Sequence, residues 1–427
     1  MNVRPLRTAP HWLARAAVLL TVACTGAGHG TTAGSDAHGS ADTGHGHAKL
    51  TWEQLALGCT PMGTGEAAHI MCNHGHSLSL HNDDLWSRRL YLLAHGHKDP
   101  HELELMHAMN GLPPPLTPIL KARLGERVRL RVISYGPLFH TFHVHGHVWN
   151  EAGKRKDVQT MGPAEVYDAA EFYAGAGADD PAERAGPGDW MYHCHVETHA
   201  ATGMWGVFRV LEPKTTDLPG ADGRYPTEVP LPLGASGATV DVYVVAAEVP
   251  LSVARVFSPA TKSLDLVERL ARLYVPQSDE ATFLAATTSS VRKQLADKKE
   301  SWTPWILALR QGANVRVHLR NLMPGVPVSL HPHGVAYDNK NDGTLPQNVA
   351  VQGGPPVLYE WRADTPGTWP LHDHTKIIEN LGRGLFAAIV VKSPAEEQQL
   401  QRDYLVFMHD YDMDWVMGSD EPGGSGH

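Results

Sequence analysis

The stretch Trp190-Met191-Tyr192-His193-Cys194-His195-Val196-Glu197-Thr198-His199, followed by Gly203-Met204, decides the reading of this chain. Side chains alternate faces along a strand, so His193 and His195 point one way and Cys194 the other. On the side of Cys194, His199 and Met204 follow at short range. The upstream run His140-Thr141-Phe142-His143-Val144-His145-Gly146-His147 adds His140 to that set. Two imidazoles, a thiolate and a weak axial thioether are the ligands of a blue copper. His143 and His145 remain as a separate pair on one strand face.

An isolated H-x-H is often only the polar face of a surface strand. Here there are four such pairs: His143/His145, His193/His195, His331/His333 and His372/His374. Neutral imidazole is a common copper ligand, and the thiolate of Cys194 sits inside one of the pairs.

The pairs belong to an internal repeat. Pro187-Gly188-Asp189-Trp190 precedes His193 and His195 as Pro366-Gly367-Thr368-Trp369 precedes His372 and His374. Gly125 followed by Val128, Leu130 and Val132 matches Gly312 followed by Val315, Val317 and Leu319, each with the period of a half-buried strand. The alignment sets Gly382 against Gly203, Val328 against His140, Asp373 against Cys194, Ile378 against His199 and Arg383 against Met204. The second copy therefore lacks the thiolate set but keeps both imidazole pairs. One thiolate copper per chain and an eight-imidazole cluster drawn from both copies are expected.

These motifs resemble the multicopper oxidases, within them the ceruloplasmin-like branch and the two-domain laccase-like enzymes. H-x-x-H-x-H-G-H and H-C-H-x-x-x-H with a following Met are present in full, and Met106-His107-Ala108-Met109-Asn110-Gly111 is similar to the segment that precedes them in ceruloplasmin. The likeness covers about residues 105–212 and 303–392. It implies two cupredoxin-like (Greek-key) β-sandwich domains, all-β, and four coppers per active unit. It implies that His140, Cys194, His199 and Met204 hold a type 1 copper. His143 and His331 would hold the type 2 copper, and His145, His193, His195, His333, His372 and His374 the type 3 pair. Asp342, in the Asp-Gly pair after His331-Pro332-His333-Gly334, resembles the family's acid beside the type 2 copper, although such a pair also makes a plain turn. The resemblance further implies dioxygen as acceptor, a phenolic or metal-ion donor, and a homotrimer with the eight-imidazole cluster at the subunit interface.

Two rivals share parts of this pattern. A copper nitrite reductase also carries a thiolate copper in the first of two domains, but it uses a three-His second site rather than eight paired imidazoles. A copper-sequestering or copper-resistance protein would explain the additional His29, His38, His45, His47, His69, His74, His76 and His81, which also read as solvated linker residues. It would not need Cys194 between two ligands. Glu197, Asp157 and Asp168 are either carboxylates for a cationic donor or ordinary loop groups.

The 427 residues, with Gly 41, Pro 31 and net charge −10, suffice for two or three domains and give no electrostatic case for nucleic acid or an anionic membrane. Arg4, Arg7 and Arg15 precede the short apolar run of residues 16–23, an export signal over 1–24. Cys24 resembles a lipoprotein attachment point, with Thr21 departing from the usual Leu; an unmodified Cys in a removed leader is the alternative. A periplasmic, outer-membrane lipoprotein or extracellular site follows. Residues 25–47 read as a flexible His/Gly-rich linker. Domain 1 is expected over 48–213, a Pro-rich linker over 214–238, domain 2 over 239–393 and a tail over 394–427. Leu266, Val267, Leu270, Leu273 and Tyr274 have helical spacing and predict a helical insertion in the second domain, over about 262–298. Cys59 and Cys72 are left to pair in an oxidising compartment, or Cys72 joins Met71, His74 and His76 in a soft-metal site.

Overall fold

Gly188–Cys194 runs antiparallel between His140–Val144 and Trp205–Leu211, and this central position brings the ligand-bearing segments together. The sheet is completed by Val158–Met161 at one edge and by Leu120–Arg123, parallel to Trp205–Leu211, at the other. A second sheet, in the order Val166–Tyr173, Arg127–Ser134, Arg402–Asp412, Leu105–Met109, closes the first sandwich. Val128, Leu130 and Val132 from one sheet and Phe142, Tyr192 and Phe208 from the other meet in its core. The alternation read from Gly125 onward is thus the inward face of a strand.

The computed structural model describes residues 105–114, 116–175, 186–196, 199–200, 203–213, 227–258, 263–297, 303–344, 348–396, 402–412 and 415–416, with the backbone of the short strands Thr60–Met62, His69–Cys72 and His76–Ser77. The expected leader, Cys24, the 25–47 linker, Cys59 and Glu197 lie outside these residues, as does the side chain of Cys72.

The second sandwich repeats the first. Ile306–Arg310, Phe386–Lys392, Gly367–His372 and His331–Pro332 form one sheet. Ser263–Gln277, Thr239–Ser258, Asn314–Asn321 and Val357–Arg362 form the other. Each copy has the same parallel closure: Leu120–Arg123 on Trp205–Leu211 in the first, Ile306–Arg310 on Phe386–Lys392 in the second. Strands of both copies build the mostly β architecture that the family resemblance implies.

Two expectations change in detail. Residues 402–412, read as tail, form an interior strand of the first sandwich, parallel to Arg127–Ser134 and antiparallel to Leu105–Met109. They are the counterpart of Thr239–Ser258, which pairs with Asn314–Asn321 in the same sense. Short helices, Glu280–Ala285 and Thr288–Ala296, occupy only the second part of the expected helical insertion. Leu266, Val267, Leu270, Leu273 and Tyr274 belong instead to the strand Ser263–Gln277. A helix would bury Leu266 and Leu270 on one face, yet both are exposed, as is Glu268 between them at period two, and residues 271–275 are buried without a break, as in a strand covered on both faces.

The sandwiches meet through Ile133, Tyr135, Leu405 and Phe407 of the first and Ile306, Phe386 and Ala388 of the second. Tyr135 Oη donates to Ala387 O at 2.5 Å and accepts from Leu371 N at 3.0 Å. Arg131, fully buried, pairs with Asp403 at 2.7 Å and Glu396 at 3.1 Å and donates to Thr368 Oγ1 at 3.3 Å. Part of the expected linker is also pinned: Val229 N donates to Asp403 O and Leu233 N to Ala308 O.

Candidate metal centre

His140, Cys194 and His199, all buried, offer donor atoms that lie within 4.8 Å of one another. His140 Nδ1 is 3.2 Å from His199 Nδ1, which is 3.6 Å from Cys194 Sγ. Thr141 N–H donates to the sulfur at 3.3 Å. Burial pushes the Cys194 thiol up, but His140, His199 and the Thr141 and Val196 amides outweigh it and bring it down to about 6. Thiolate, the ligand form, is favoured. Met204 is fully buried in the loop that closes the set: Cys194 N donates to Met204 O at 3.0 Å and Met204 N to His199 O at 2.9 Å.

His143 and His193 stand directly opposite each other across the strand pair, as do His331 and His372 in the second sandwich. Ring contacts join His143, His145, His193 and His195 into one quartet and His331, His333, His372 and His374 into another. Their orientation repeats. His143 Nδ1 donates to Asp157 O and His331 Nδ1 to Asp342 O, both at 2.7 Å. His193 Nδ1 donates to Cys194 O at 2.8 Å and His372 Nδ1 to Asp373 O at 2.9 Å. A proton held on Nδ1 leaves Nε2 with its lone pair.

The Nε2 atoms of His193 and His372 each face a second ring. His145 Nε2 is 3.1 Å from His193 Nε2, and His333 Nε2 is 3.2 Å from His372 Nε2. Burial, with smaller contributions from neighbouring imidazoles, brings His193 down to about 3 and His145 and His372 to about 4, so these rings are neutral at pH 7. Neutral rings whose Nε2 atoms lie about 3 Å apart fit a soft or borderline cation between them, and the thiolate set fits copper.

The glycine of each H-x-H-G has a packing reason. Gly146 and Gly334 both have φ +67, and a Cβ on either would overlap the indole of Trp190 or Trp369. The Trp of P-G-x-W thus seats on the turn that carries the imidazole pair. His147 is spent in the core: its Nδ1 donates to His145 O and its Nε2 accepts from Gly175 N.

The sequence alignment of the closing loops needs correction. Trp205 pairs with His193 and Phe386 with His372, so Leu385, not Arg383, stands where Met204 does, and Gly384, not Gly382, where Gly203 does. Leu385 N donates to Asn380 O as Met204 N does to His199 O, which sets Asn380, not Ile378, opposite His199. The second copy's loop is longer by two residues. Val328 is buried at the place of His140, as aligned.

Asp342 lies beside His331, with Oδ1 at 3.5 Å from Nδ1. Burial works to raise its carboxyl, but Thr344 and the His331, Tyr337 and His374 side chains hold it below the ordinary value. Asp168 serves the join between sandwiches, its Oδ2 accepting from Thr368 N at 2.8 Å. Sequence reasoning missed three residues around the thiolate set: His107, which stacks on His199 at 4.0 Å, and His409 and Asp410 on the C-terminal strand. His107 lies in the quoted Met106–Gly111 segment; the other two carry no motif.

Two multicopper oxidase family models match residues 87–214 and 287–396, together more than half of the chain. Among characterised proteins, a probable nitrite reductase-hydroxylamine oxidoreductase fusion protein of Kuenenia stuttgartiensis is 34% identical over 123 residues, 25% of this chain and 14% of that protein. The multicopper oxidase MmcO of Mycobacterium tuberculosis is 29% identical over 100 residues, 23% of this chain and 19% of its own length. Human hephaestin is 29% identical over 140 residues, 29% of this chain and 11% of its own length. The matches thus span less than a fifth of each of these relatives. Similar solved structures include a multicopper oxidase (20% identity, 66% of this chain and 80% of the other, TM-score 0.19). A copper nitrite reductase from Thermus scotoductus is another (17% identity, 67% and 56%, TM-score 0.20).

Proposed function

The chain belongs to the multicopper oxidase family, and from that premise we propose that it couples one-electron oxidation of small phenolic or metal-ion donors to four-electron reduction of dioxygen to water. The observation that carries this reading is Cys194 itself. Its sulfur faces His140 and His199, while the chain on either side of it carries His193 and His195 in the neighbouring quartet. A covalent path of one residue therefore joins a one-electron site to a multi-imidazole site.

In this reading His140, Cys194, His199 and Met204 hold a type 1 copper. His143 and His331 hold the type 2 copper, and His145, His193, His195, His333, His372 and His374 the type 3 pair. Bound copper supplies the one-electron steps and the oxygen chemistry. The chain's own residues fix tautomers through Nδ1–H donation to backbone carbonyls, and Asp342 holds a carboxylate beside His331 for proton delivery. Phe139, 56% exposed, tilts against His199 at 6.4 Å and offers an aromatic donor a surface next to the thiolate site.

Each quartet supplies half of the expected cluster, and no ring contact joins the two quartets among the described residues. His195 is exposed, and His143, His145, His331, His333 and His374 are half-buried. Open half-sites of this kind support completion by a second copy of the chain, in a head-to-tail homotrimer. The leader supports export, with Cys24 either a lipid attachment point or an unmodified residue of a removed leader.

A nitrite reductase is the second reading, favoured by the name of the Kuenenia relative. The test is turnover of the copper-loaded protein with a phenolic donor. One dioxygen consumed per four donor electrons, without peroxide and without nitrite reduction, supports the oxidase. Nitrite reduction without dioxygen uptake overturns it.

A further inference from the structure

Asp410 is fully buried on the strand Arg402–Asp412, at the back of the thiolate set. Its Oδ2 lies 3.6 Å from His140 Nε2 and its Oδ1 3.4 Å from His107 Nε2. Neither oxygen has a hydrogen-bond partner among the described residues. Gly136, with φ +104, lies so close that a Cβ there would overlap Oδ2. The cavity is therefore shaped around the carboxylate, and His107, its other neighbour, lies flat on His199 with 17° between the rings.

A buried carboxylate without donors costs several kcal/mol unless positive charge stands nearby. The ion pairs of Asp410 among the described residues are with the two imidazoles, not with Lys or Arg. The cation this neighbourhood is built to hold is the one between His140, Cys194 and His199. Resting on the function proposed above, we propose that Asp410 is a positioning residue and counter-charge for the thiolate copper. Facing Nε2 of His140, it selects the tautomer whose Nδ1 lone pair turns toward Cys194 and His199. With the thiolate it places two negative charges beside the metal. These balance Cu(II) and leave Cu(I) with an excess, so Asp410 lowers the reduction potential.

The test uses full-length, copper-loaded protein poised against a fixed ratio of oxidised to reduced mediator, with the blue band and the Cu(II) resonance read together. Asp410→Asn should keep a blue band of altered position while the Cu(II) to Cu(I) ratio falls by about tenfold or more, equivalent to about 59 mV. A ratio within about twofold of wild type, with the band unmoved, overturns the proposal. His107→Phe keeps the carboxylate and a stacked ring, and should leave the ratio within about threefold. A change as large as that of Asp410→Asn would show that packing on His199, not the carboxylate, sets the potential. Should Asp410→Asn not fold, Asp410→Glu is read instead: a displaced charge must still move the ratio, and an unmoved ratio overturns the proposal. Absence of any blue band in the wild type removes the functional reading itself, before the variants are compared.

Discussion

Asp373 occupies in the second sandwich the place that Cys194 holds in the first. Thr141 N–H donates to Cys194 Sγ at 3.3 Å, and Ser329 N–H donates to Asp373 Oδ1 at 2.9 Å. Where His199 Nδ1 approaches the sulfur at 3.6 Å, Asn380 Nδ2 donates to Asp373 Oδ2 at 2.8 Å. Thr375 N–H at 2.9 Å, Lys376 N–H at 3.0 Å and the Thr375 hydroxyl at 3.0 Å complete the carboxylate's partners. The candidate metal set in one copy is matched by a hydrogen-bond set in the other.

Asp373→Ala should therefore act on stability. It strands the buried Ser329 amide and the Asn380 side chain, at a cost of about 3 kcal/mol, measured as a lower denaturant midpoint. The thiolate site should be unaffected. Asp373→Cys should give no second blue band, because Val328 and Asn380 offer no imidazole; a doubled band would contradict the correspondence.

The open quartets make a prediction about assembly. His145→Ala and His333→Ala should each abolish dioxygen reduction. Mixed during folding, the two variants should regain roughly a quarter of wild-type activity if copies are placed at random around a head-to-tail ring. Activity that stays at background in verified mixed oligomers would place the whole cluster within one chain.

Acid should loosen the join between the sandwiches. Burial works to raise the Glu396 carboxyl, but Ser393 N–H and the Arg131 and Arg129 guanidiniums outweigh it and bring it down to about 2. Because the folded value is depressed, the stabilisation is complete above the ordinary glutamate value of 4.5 and is lost as pH falls toward 2. Denaturant midpoints should fall more steeply across that window in wild type than in Glu396→Gln. Parallel curves would show that Glu396 contributes nothing there.

Gly334→Ala should cost about 1–3 kcal/mol on top of the backbone cost at φ +67, by forcing a methyl into the Trp369 indole, and should lower copper loading through the displaced His331–His333 turn. Gly153, with φ +77 and open space around it, is the control. Its change to Ala carries only the backbone cost of about 1–2 kcal/mol. Equal losses at the two positions, read from denaturant midpoints, would discount the indole contact.

The grouping of His140, Cys194 and His199 and of the imidazole pairs was legible because strand periodicity decides which side chains share a face, and Cys194 between two His leaves little freedom. The loop equivalences were not. The register of Phe386–Lys392 on Gly367–His372 sets Leu385 opposite Met204, and a loop longer by two residues hides this from a gapless alignment. Leu266, Leu270 and Tyr274 fit helical spacing as well as they fit a strand, and only pairing with Thr239–Ser258 distinguishes the two. The strand Arg402–Asp412 was unreadable as part of the first sandwich because its partners lie at the other end of the domain sequence. With it went Asp410 and His409.

Copper counting with paramagnetic resonance tests the central claim most directly. The account predicts four coppers per chain in the assembled oligomer, with one blue resonance that disappears in Cys194→Ser and a second, non-blue resonance that remains. One or two coppers per chain, or a blue resonance that persists without Cys194, would contradict it.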